Sequence, residues 1–398
     1  MIRLNVVLLV LCLIYPLVNG VGFRGFTFQG LEEPVPLKKY ADKDVIEGWI
    51  TQPLDHFNYR DNRTWLMRYK ENSAFLRENS SILIMLGGEW EISNGFLQGG
   101  LMYEIGSKYK ALMYYTEHRY YGKSKPTKDI STENLQYLNV DQALADLAYF
   151  IETKKKEKNL EKSTVIVFGG SYAGNMAAWA RLKYPHLIQV FASTVQYDNV
   201  VNGQTKIAAL CNTMTAAHLG SPLQRLARVV SKPDVCLDVN YNNFVEKYRD
   251  ISWNSSVIQS SMRQWYHQTC TEYGYYQTTS SDKSIFGTLF PLSFYIDMCT
   301  DLYGDYFNDK ILDSRVRRTN IMYGGQLPDL TNVIFTNGDI DPWHSLSVLE
   351  NLNTFSPAIV IKGSSHCRDI YSDEVTDLED LKKARARIRE IISKWISL

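Results

Sequence analysis

The chain has 398 residues, of which 45% are hydrophobic and 22% are charged, as is typical of a globular protein. These proportions exclude a disordered chain, a coiled coil and a collagen. Lys and Arg together number 43, as do Asp and Glu, so the formal net charge is zero. A neutral chain has no overall basic field for nucleic acid or an anionic membrane, so neither is expected as a partner.

Residues 1–20 have the features of a secretory signal peptide. Arg3 gives a positive start, an apolar run covers 6–18, and glycines follow at positions 20 and 22. This run is too short for a stable membrane anchor, which needs about 20 residues. A buried core helix is the alternative. No later segment approaches transmembrane length, so we expect a secreted or lysosomal protein.

The glycosylation triplets and the cysteines are consistent with a secreted or lysosomal location. Triplets of the form Asn-x-Ser/Thr begin at Asn62, Asn79 and Asn254. Beyond the signal peptide, five cysteines remain, among which an oxidising lumen favours disulfides: Cys211, Cys236, Cys270, Cys299 and Cys367. Because five is odd, at least one is free or pairs between chains. No cysteine spacing resembles a zinc site, and we expect neither a metal nor an organic cofactor.

Short apolar runs alternate with amphipathic stretches along most of the chain. The predicted strands are 81–86, 111–116, 164–168, 188–192, 332–336 and 358–361. Most are continuously apolar, which is typical of strands covered on both faces of a parallel sheet. The predicted helices are near 139–158, 172–184, 345–354 and 375–396. This alternation predicts an α/β fold with a doubly wound, mostly parallel sheet.

The stretch 195–325 breaks this alternation. It has few buried-strand runs and holds four of the five remaining cysteines. An insertion into a parallel sheet is the simplest account, so we predict a mainly helical cap. The core would then comprise 21–194 and 326–398. A length of about two to three average domains suits such an arrangement.

The most informative stretch joins a predicted strand to a predicted helix. Strand 164–168 runs into Gly-Gly-Ser-Tyr-Ala at 169–173, and a helical pattern continues to Pro185. This strand–turn–helix with a central Ser171 is the arrangement called a nucleophile elbow, whose tight turn requires small neighbours. A glycine-rich structural turn is the alternative. A phosphate-binding loop would need a Gly-Lys-Ser/Thr ending, which is absent.

A serine nucleophile needs a base, and the base needs an orienting acid. In α/β-hydrolases the order along the chain is Ser, then Asp or Glu, then His. His366 follows the last predicted strand and is the predicted base. His186 lies too close to the nucleophile helix, whereas His218 and His267 lie in the predicted cap.

Two aspartates follow strand 332–336. Asp341 is favoured as the acid because Pro342 holds it in an extended conformation. Asp339 follows Asn-Gly and suits a turn. His344 is a rival base, but it lies three residues from Asp341 and would compete for the acid.

The oxyanion needs two N–H donors. One is expected from Tyr172, the residue after the nucleophile. The other is expected from the loop 85–90, where two glycines permit close backbone approach, and Gly88 is the predicted donor. An ordinary turn is the alternative for these glycines, and Glu89 is assigned no role.

Six motifs in order carry a family resemblance. They are Thr51-Gln-Pro-Leu-Asp-His-Phe-Asn58, Gly87-Gly-Glu89, Glu117-His-Arg-Tyr-Tyr-Gly-Lys-Ser124, Gly169-Gly-Ser-Tyr-Ala-Gly174, Asn337-Gly-Asp-Ile-Asp-Pro-Trp343 and Gly363-Ser-Ser-His366. Together they resemble the serine carboxypeptidase family of lysosomal prolyl carboxypeptidase, dipeptidyl peptidase II and thymus-specific serine protease. The resemblance implies an α/β-hydrolase core, a helical cap, and cleavage of peptides next to proline in a lysosomal or secreted setting. It also implies Ser171, Asp341 and His366 as nucleophile, acid and base.

The chain departs from this family pattern in two places. Trp90 stands where family members usually have glycine, and the cap looks several tens of residues short after position 194. The resemblance implies that Cys270 and Cys299 are a retained pair. It further implies that the partners of Cys211 and Cys236 lay in the missing segment. A disulfide between these two cysteines is one alternative.

The sequence therefore predicts a serine peptidase that acts through an acyl-enzyme on a peptide substrate. Two alternatives stay open: an esterase or lipase on the same core, and a cap-truncated secreted protein that binds without catalysis. A homodimer is implied by the family resemblance alone.

Overall fold

A single eight-stranded sheet forms the centre of the molecule. The computed structural model describes residues 31–37, 44–185, 187, 189–194, 206–230, 240–282 and 288–397. The strands are β1 (Val45–Pro53), β2 (Thr64–Asn72), β3 (Ile82–Leu86), β4 (Leu112–Thr116), β5 (Val165–Gly170), β6 (Gln189–Thr194), β7 (Val333–Gly338) and β8 (Ala358–Ile361). The predicted signal peptide, the first residues of the predicted cap, His186 and Cys236 lie outside the described residues.

The sheet is mostly parallel. Its strand order is β1-β2-β4-β3-β5-β6-β7-β8, with antiparallel pairing only at β1–β2 and β2–β4 among the described strands. Every residue of β3, β4, β5 and β7 is buried, as expected for apolar strands covered on both faces. The predicted α/β class with a doubly wound sheet is therefore confirmed.

Eleven α-helices occur in the described part of the chain. They are α1 (Gly100–Tyr109), α2 (Val140–Glu157), α3 (Tyr172–Lys183), α4 (Lys206–Thr215), α5 (Pro222–Val230), α6 (Tyr241–Tyr248), α7 (Ser256–Gln259), α8 (Met262–Gln268), α9 (Leu292–Tyr303), α10 (Asp309–Tyr323) and α11 (Glu379–Ile396). Helices α4 to α10 all lie between β6 and β7, and the described residues of that stretch contain no strand.

The predicted helix at 345–354 is wrong. Only a short 3₁₀ helix forms there, at Pro342–Leu346. The buried Asn337 side chain donates from Nδ2 to the Val348 carbonyl oxygen at 3.0 Å. In a continuing helix the Val348 carbonyl oxygen would accept a backbone N–H of the same helix. Here it accepts a tertiary hydrogen bond instead, and this contact overrides the local helical pattern.

The helices between β6 and β7 pack on the loop after β4. A second hydrophobic cluster, separate from the sheet core, joins Tyr120 and Tyr121 of this loop to side chains of α6, α8 and α9. Cys270 and Cys299 form a disulfide inside this cluster, the pairing that the family resemblance implied. Cys211 is exposed and Cys367 is buried, and the disulfide includes neither of them.

Two of the sequence motifs meet in a buried ionic cluster. Asp146 on α2 accepts hydrogen bonds from Arg119 Nε at 2.6 Å and Nη2 at 2.7 Å, and it pairs with His56 Nε2 at 2.7 Å. Arg119 also donates to the Leu54 carbonyl oxygen at 3.0 Å. The cluster therefore ties the loop after β1 and the loop after β4 to one helix.

We expect Asp146→Ala to lower the free energy of unfolding by about 3–5 kcal/mol, because Arg119 would be left buried without its counter-charge. The matched control is Asp313→Ala, which breaks an Arg317–Asp313 pair that is about 70% exposed on both sides. It should change the free energy by less than about 1 kcal/mol. Denaturant unfolding of both variants measures the difference, and equal losses would contradict the assignment.

Candidate active site

Ser171 occupies a strained turn between β5 and α3. Its backbone has φ 56° and ψ −132°, a conformation that costs a non-glycine residue roughly 1–3 kcal/mol. A Cβ atom at Gly169 would lie 2.2 Å from the Ala173 carbonyl oxygen, so this position accepts only glycine. The Ser171 side chain is partly exposed, while Gly170 and Tyr172 on either side are buried. The turn thus has the geometry expected of a nucleophile elbow.

The loop after β8 packs against this turn. Cys367 directly follows His366 and has a left-handed backbone with φ 58°. Its Sγ atom lies 3.0 Å from the point where a Cβ atom at Gly170 would stand. The residues next to Ser171 and His366 are therefore in van der Waals contact, although the two positions are far apart in the sequence.

Asp341 lies directly beside His366 at the carboxyl end of β7. Its Oδ1 atom is 3.7 Å from His366 Nδ1 and accepts the Trp343 N–H at 2.9 Å. A distance of 3.7 Å is beyond a hydrogen bond and within that of an ion pair. Burial raises the pKa of Asp341 to about 6 and lowers the pKa of His366 to about 2. The imidazole is therefore neutral, which is the form a general base requires.

The rival residues take other roles. Asp339 is exposed, and its Oδ1 accepts the Gly363 N–H at 2.6 Å, which is a turn contact. The His344 ring contacts the Asp341 carbonyl oxygen rather than its carboxylate. His218 is exposed, and His267 is buried against the rings of Tyr303 and Phe307.

The loop after β3 holds the predicted oxyanion donor. The Gly87 N–H donates to the Thr116 carbonyl oxygen at 2.8 Å, whereas the Gly88 N–H meets no acceptor within the described residues. A Cβ atom at Gly88 would lie 2.4 Å from the Trp90 ring, whose Nε1 donates to Tyr115 Oη at 2.8 Å. Trp90, which stands where family members usually have glycine, therefore permits only glycine at position 88.

Tyr172 is anchored from two sides. Its hydroxyl accepts a hydrogen bond from Gln268 Nε2 on α8 at 2.9 Å and is 2.9 Å from His118 Nε2. The Gln268 Oε1 atom in turn accepts from the Tyr121 hydroxyl at 2.5 Å. These buried contacts join the start of α3, which carries the predicted oxyanion donor, to the helical segment above it.

A pocket of about 290 Å³ opens beside Ser171. Half of the residues that line it are aromatic, and the lining comes from both the sheet core and the helices inserted after β6. The residues that line it are Glu89, Ser171, Tyr172, Asn175, Trp265, Tyr266, Thr269, Tyr273, Gly274, Tyr275, Tyr276, Gln277, Tyr295, Trp343, Leu346 and Ser347. Such a pocket suits a substrate with an apolar or ring-shaped side chain.

Glu89 is a site residue to which sequence reasoning gave no role. It is 3% exposed and lines the same pocket as Ser171. Burial raises the pKa of its carboxyl to about 8. Its place in the Gly-Gly-Glu motif was a signal, but the sequence could not indicate that the side chain points inward rather than to solvent.

The remaining predictions concern the surface and bound groups. The asparagines of all three glycosylation triplets, Asn62, Asn79 and Asn254, are exposed. In the described part of the chain, no cluster of three or more His, Cys, Asp or Glu side chains could hold a metal ion. Across the same residues, each helix is either too short or too polar to cross a membrane.

An α/β-hydrolase sheet with a serine at the strand–helix turn defines a serine hydrolase. The family profile described as serine carboxypeptidase S28 matches residues 52–194 and 187–388, so the chain belongs to this family and is a serine-type peptidase. It is 28% identical to the thymus-specific serine protease of Mus musculus, over 88% of this chain and 87% of the relative. It is 24% identical to the lysosomal Pro-X carboxypeptidase of Mus musculus, over 96% of this chain and 94% of the relative.

The relatives contain residues that this chain lacks. The comparison with the mouse thymus-specific protease extends over 450 positions, whereas 88% of this chain is about 350 residues, so about 100 positions have no counterpart here. The family profile also matches in two separate segments, which overlap over residues 187–194.

We expect Gly88→Ala to slow the reaction of Ser171 with a fluorophosphonate by about 10²–10³-fold, as for loss of an oxyanion donor. The reason is that the new Cβ atom collides with the Trp90 ring and displaces the loop. Adding Trp90→Gly in the same chain removes the ring and should recover part of the rate. Undiminished labelling of the single variant would contradict the role of Gly88.

The rate of the same labelling reaction should fall as the pH drops through about 6. Burial raises the pKa of Asp341 to about 6, so below this pH the carboxyl is protonated and would no longer stabilise an imidazolium on His366, the predicted base. Burial lowers the pKa of His366, so its imidazole stays neutral over this range. A labelling rate that is constant from pH 8 to pH 4 would disprove this dependence.

Proposed function

We propose that this protein is a secreted or lysosomal serine peptidase in which Ser171, Asp341 and His366 form the catalytic triad. His366 takes the proton from Ser171 Oγ as that oxygen attacks a peptide carbonyl. The tetrahedral oxyanion binds the Tyr172 and Gly88 N–H groups. His366 then passes its proton to the leaving amine, and the acyl-enzyme forms.

The second half of the reaction reverses the roles. His366 removes a proton from water, which attacks the acyl carbonyl, and Ser171 regains its proton when the product acid leaves. Asp341 orients the imidazole and stabilises its charged form. The observation that carries this proposal is the packing of Cys367 against Gly170, since it holds the base loop on the nucleophile turn.

We infer that the bonds cleaved lie next to proline. The aromatic pocket beside Ser171 would pack against a pyrrolidine ring, and the name of the lysosomal Pro-X carboxypeptidase points the same way. The location rests on similar support. One relative is named as lysosomal, the chain contains a disulfide, and its three glycosylation triplets are exposed.

In this proposal, the roughly 100 positions that the relatives have and this chain lacks belong to the cap. The family profile breaks at β6, where the predicted cap begins. The shorter cap and the 3.7 Å gap between Asp341 and His366 favour one second candidate, a secreted protein that binds peptides without turnover. Both candidates share the pocket and differ in the reactivity of Ser171.

The purified secreted protein should be labelled by a fluorophosphonate, and Ser171→Ala should abolish the labelling. His366→Ala should lower the labelling rate by up to about 10⁶-fold, because the base is lost. Asp339→Asn is the matched control and should leave the rate within a few-fold of wild type. Folded, monodisperse wild-type protein that is not labelled would favour the binding protein.

Peptides with proline at each position around the scissile bond would then define specificity. We expect cleavage only when proline lies next to that bond. Turnover of esters without turnover of any such peptide would favour an esterase or lipase instead.

A further inference from the structure

Residues 31–37 form a short segment before β1 that contains neither helix nor strand. We call it the N-terminal strap. Leu31 and Pro34 of the strap are buried, whereas Val35, Pro36 and Leu37 are exposed. Leu31 is 4% exposed and belongs to the hydrophobic cluster of the sheet core. A segment with no helix or strand of its own is held by tertiary contacts, so these contacts indicate which parts of the core it supports.

The first contact of the strap is with the nucleophile turn. Leu31 Cδ1 lies 2.9 Å from the point where a Cβ atom at Gly170 would stand. Cys367 Sγ lies 3.0 Å and Ile370 Cδ1 lies 3.4 Å from the same point. Three side chains thus converge on one glycine of the turn, one from the strap and two from the loop that carries His366. Leu31 therefore packs where the turn and this loop meet.

A hydrogen bond joins the strap to the same loop. The Tyr371 hydroxyl donates to the Glu32 carbonyl oxygen at 2.8 Å. Glu32 directly follows Leu31, and Tyr371 lies five residues after His366. The loop of His366 is therefore attached to the strap by an apolar contact and by a hydrogen bond at neighbouring positions of the strap.

The strap also contacts the segment that follows Gly88. Glu33 Oε1 accepts a long hydrogen bond from the Tyr115 hydroxyl at 3.3 Å, and this hydroxyl accepts from Trp90 Nε1 at 2.8 Å. A Cβ atom at Gly95 would collide with the Glu33 carboxyl, so the absence of a side chain at Gly95 lets the strap lie close. One short segment thus contacts structure next to the predicted nucleophile, base and oxyanion donor.

We propose that Leu31 is a positioning residue that holds the loop of His366 against the nucleophile turn, and that the N-terminal strap thereby sets the reactivity of Ser171. This inference rests on the proposed function. Leu31 does not act by binding substrate, because the described residues that line the pocket include none from the strap. Truncation of Leu31 leaves space beside Gly170 into which Cys367 relaxes, and the adjacent His366 shifts with it. A misplacement of about 1 Å costs a reaction up to about 10²-fold in rate.

The concentration dependence of fluorophosphonate labelling tests this role, since it separates the maximal labelling rate from the half-saturating probe concentration. We expect Leu31→Ala to lower the maximal rate by about 10- to 100-fold. The half-saturating concentration should stay within about threefold of wild type, because the pocket keeps its lining. Leu31→Met conserves the side-chain volume and should keep the maximal rate within about threefold of wild type. Leu31→Val should give an intermediate rate.

Leu160→Ala is the matched control. Leu160 is also a leucine that is 4% exposed, but it precedes β5, whereas Ser171 follows the other end of that strand. Both alanine variants should lower the denaturant midpoint, because each leaves a cavity in the core. Only Leu31→Ala should slow the labelling of folded protein, which is verified by circular dichroism under the conditions of the assay.

If Leu31→Ala does not fold, Leu31→Val and Leu160→Val decide the question in the same way. Equal slowing by the substitutions at 31 and 160 would show a merely structural role and overturn the assignment. An unchanged maximal rate in folded Leu31→Ala, or an effect confined to the half-saturating concentration, would also overturn it. Wild-type protein that is not labelled at all would instead contradict the proposed function, so the two failures are distinguishable.

Discussion

The strained backbone of Ser171 is the constraint on which the rest of the site depends. A positive φ at a serine persists only where neighbouring structure holds it in place. Here β5 is buried on both faces, Gly169 packs against the backbone of Ala173, and the loop of Cys367 presses on Gly170. The elements that maintain the turn also place beside it the loop that carries His366, the proposed base, so one packing arrangement holds both segments.

Burial has two opposite consequences within a short distance of this turn. It lowers the pKa of His366, which keeps the imidazole available as a base, and it raises the pKa of Asp341 and Glu89, which weakens them as anions. The dry surroundings that favour a neutral base therefore make each carboxyl dependent on a positive partner. For Asp341 that partner would be the imidazolium formed during the proposed reaction.

The helices inserted after β6 are coupled to the core through a small set of buried contacts. Gln268 holds the Tyr172 side chain, the Cys270–Cys299 disulfide lies in the hydrophobic cluster beneath the helices, and Tyr120 and Tyr121 join that cluster from the core. The profile match and the relatives indicate that this chain lacks about 100 positions found in similar proteins. The contacts that reach Tyr172 and the pocket nevertheless lie within the residues that the chain retains.

The sequence by itself determined the type of sheet and the candidate catalytic residues. Six of the eight strands follow from apolar runs, because strands buried on both faces leave a pattern that needs no tertiary information. Strands β1 and β2 were missed, since they mix exposed with buried residues, and a helix was wrongly predicted at 345–354. Ser171 was identifiable because a tight strand–helix turn imposes its own local composition.

Only the tertiary structure decided how these residues meet. The contact of Cys367 with Gly170, the 3.7 Å separation of Asp341 and His366, and the inward direction of Glu89 depend on segments that are distant along the chain. The role of Trp90 in requiring glycine at position 88 depends on where its ring folds. Local periodicity carries no information on such contacts, because burial and charge environment arise only when separate elements pack together.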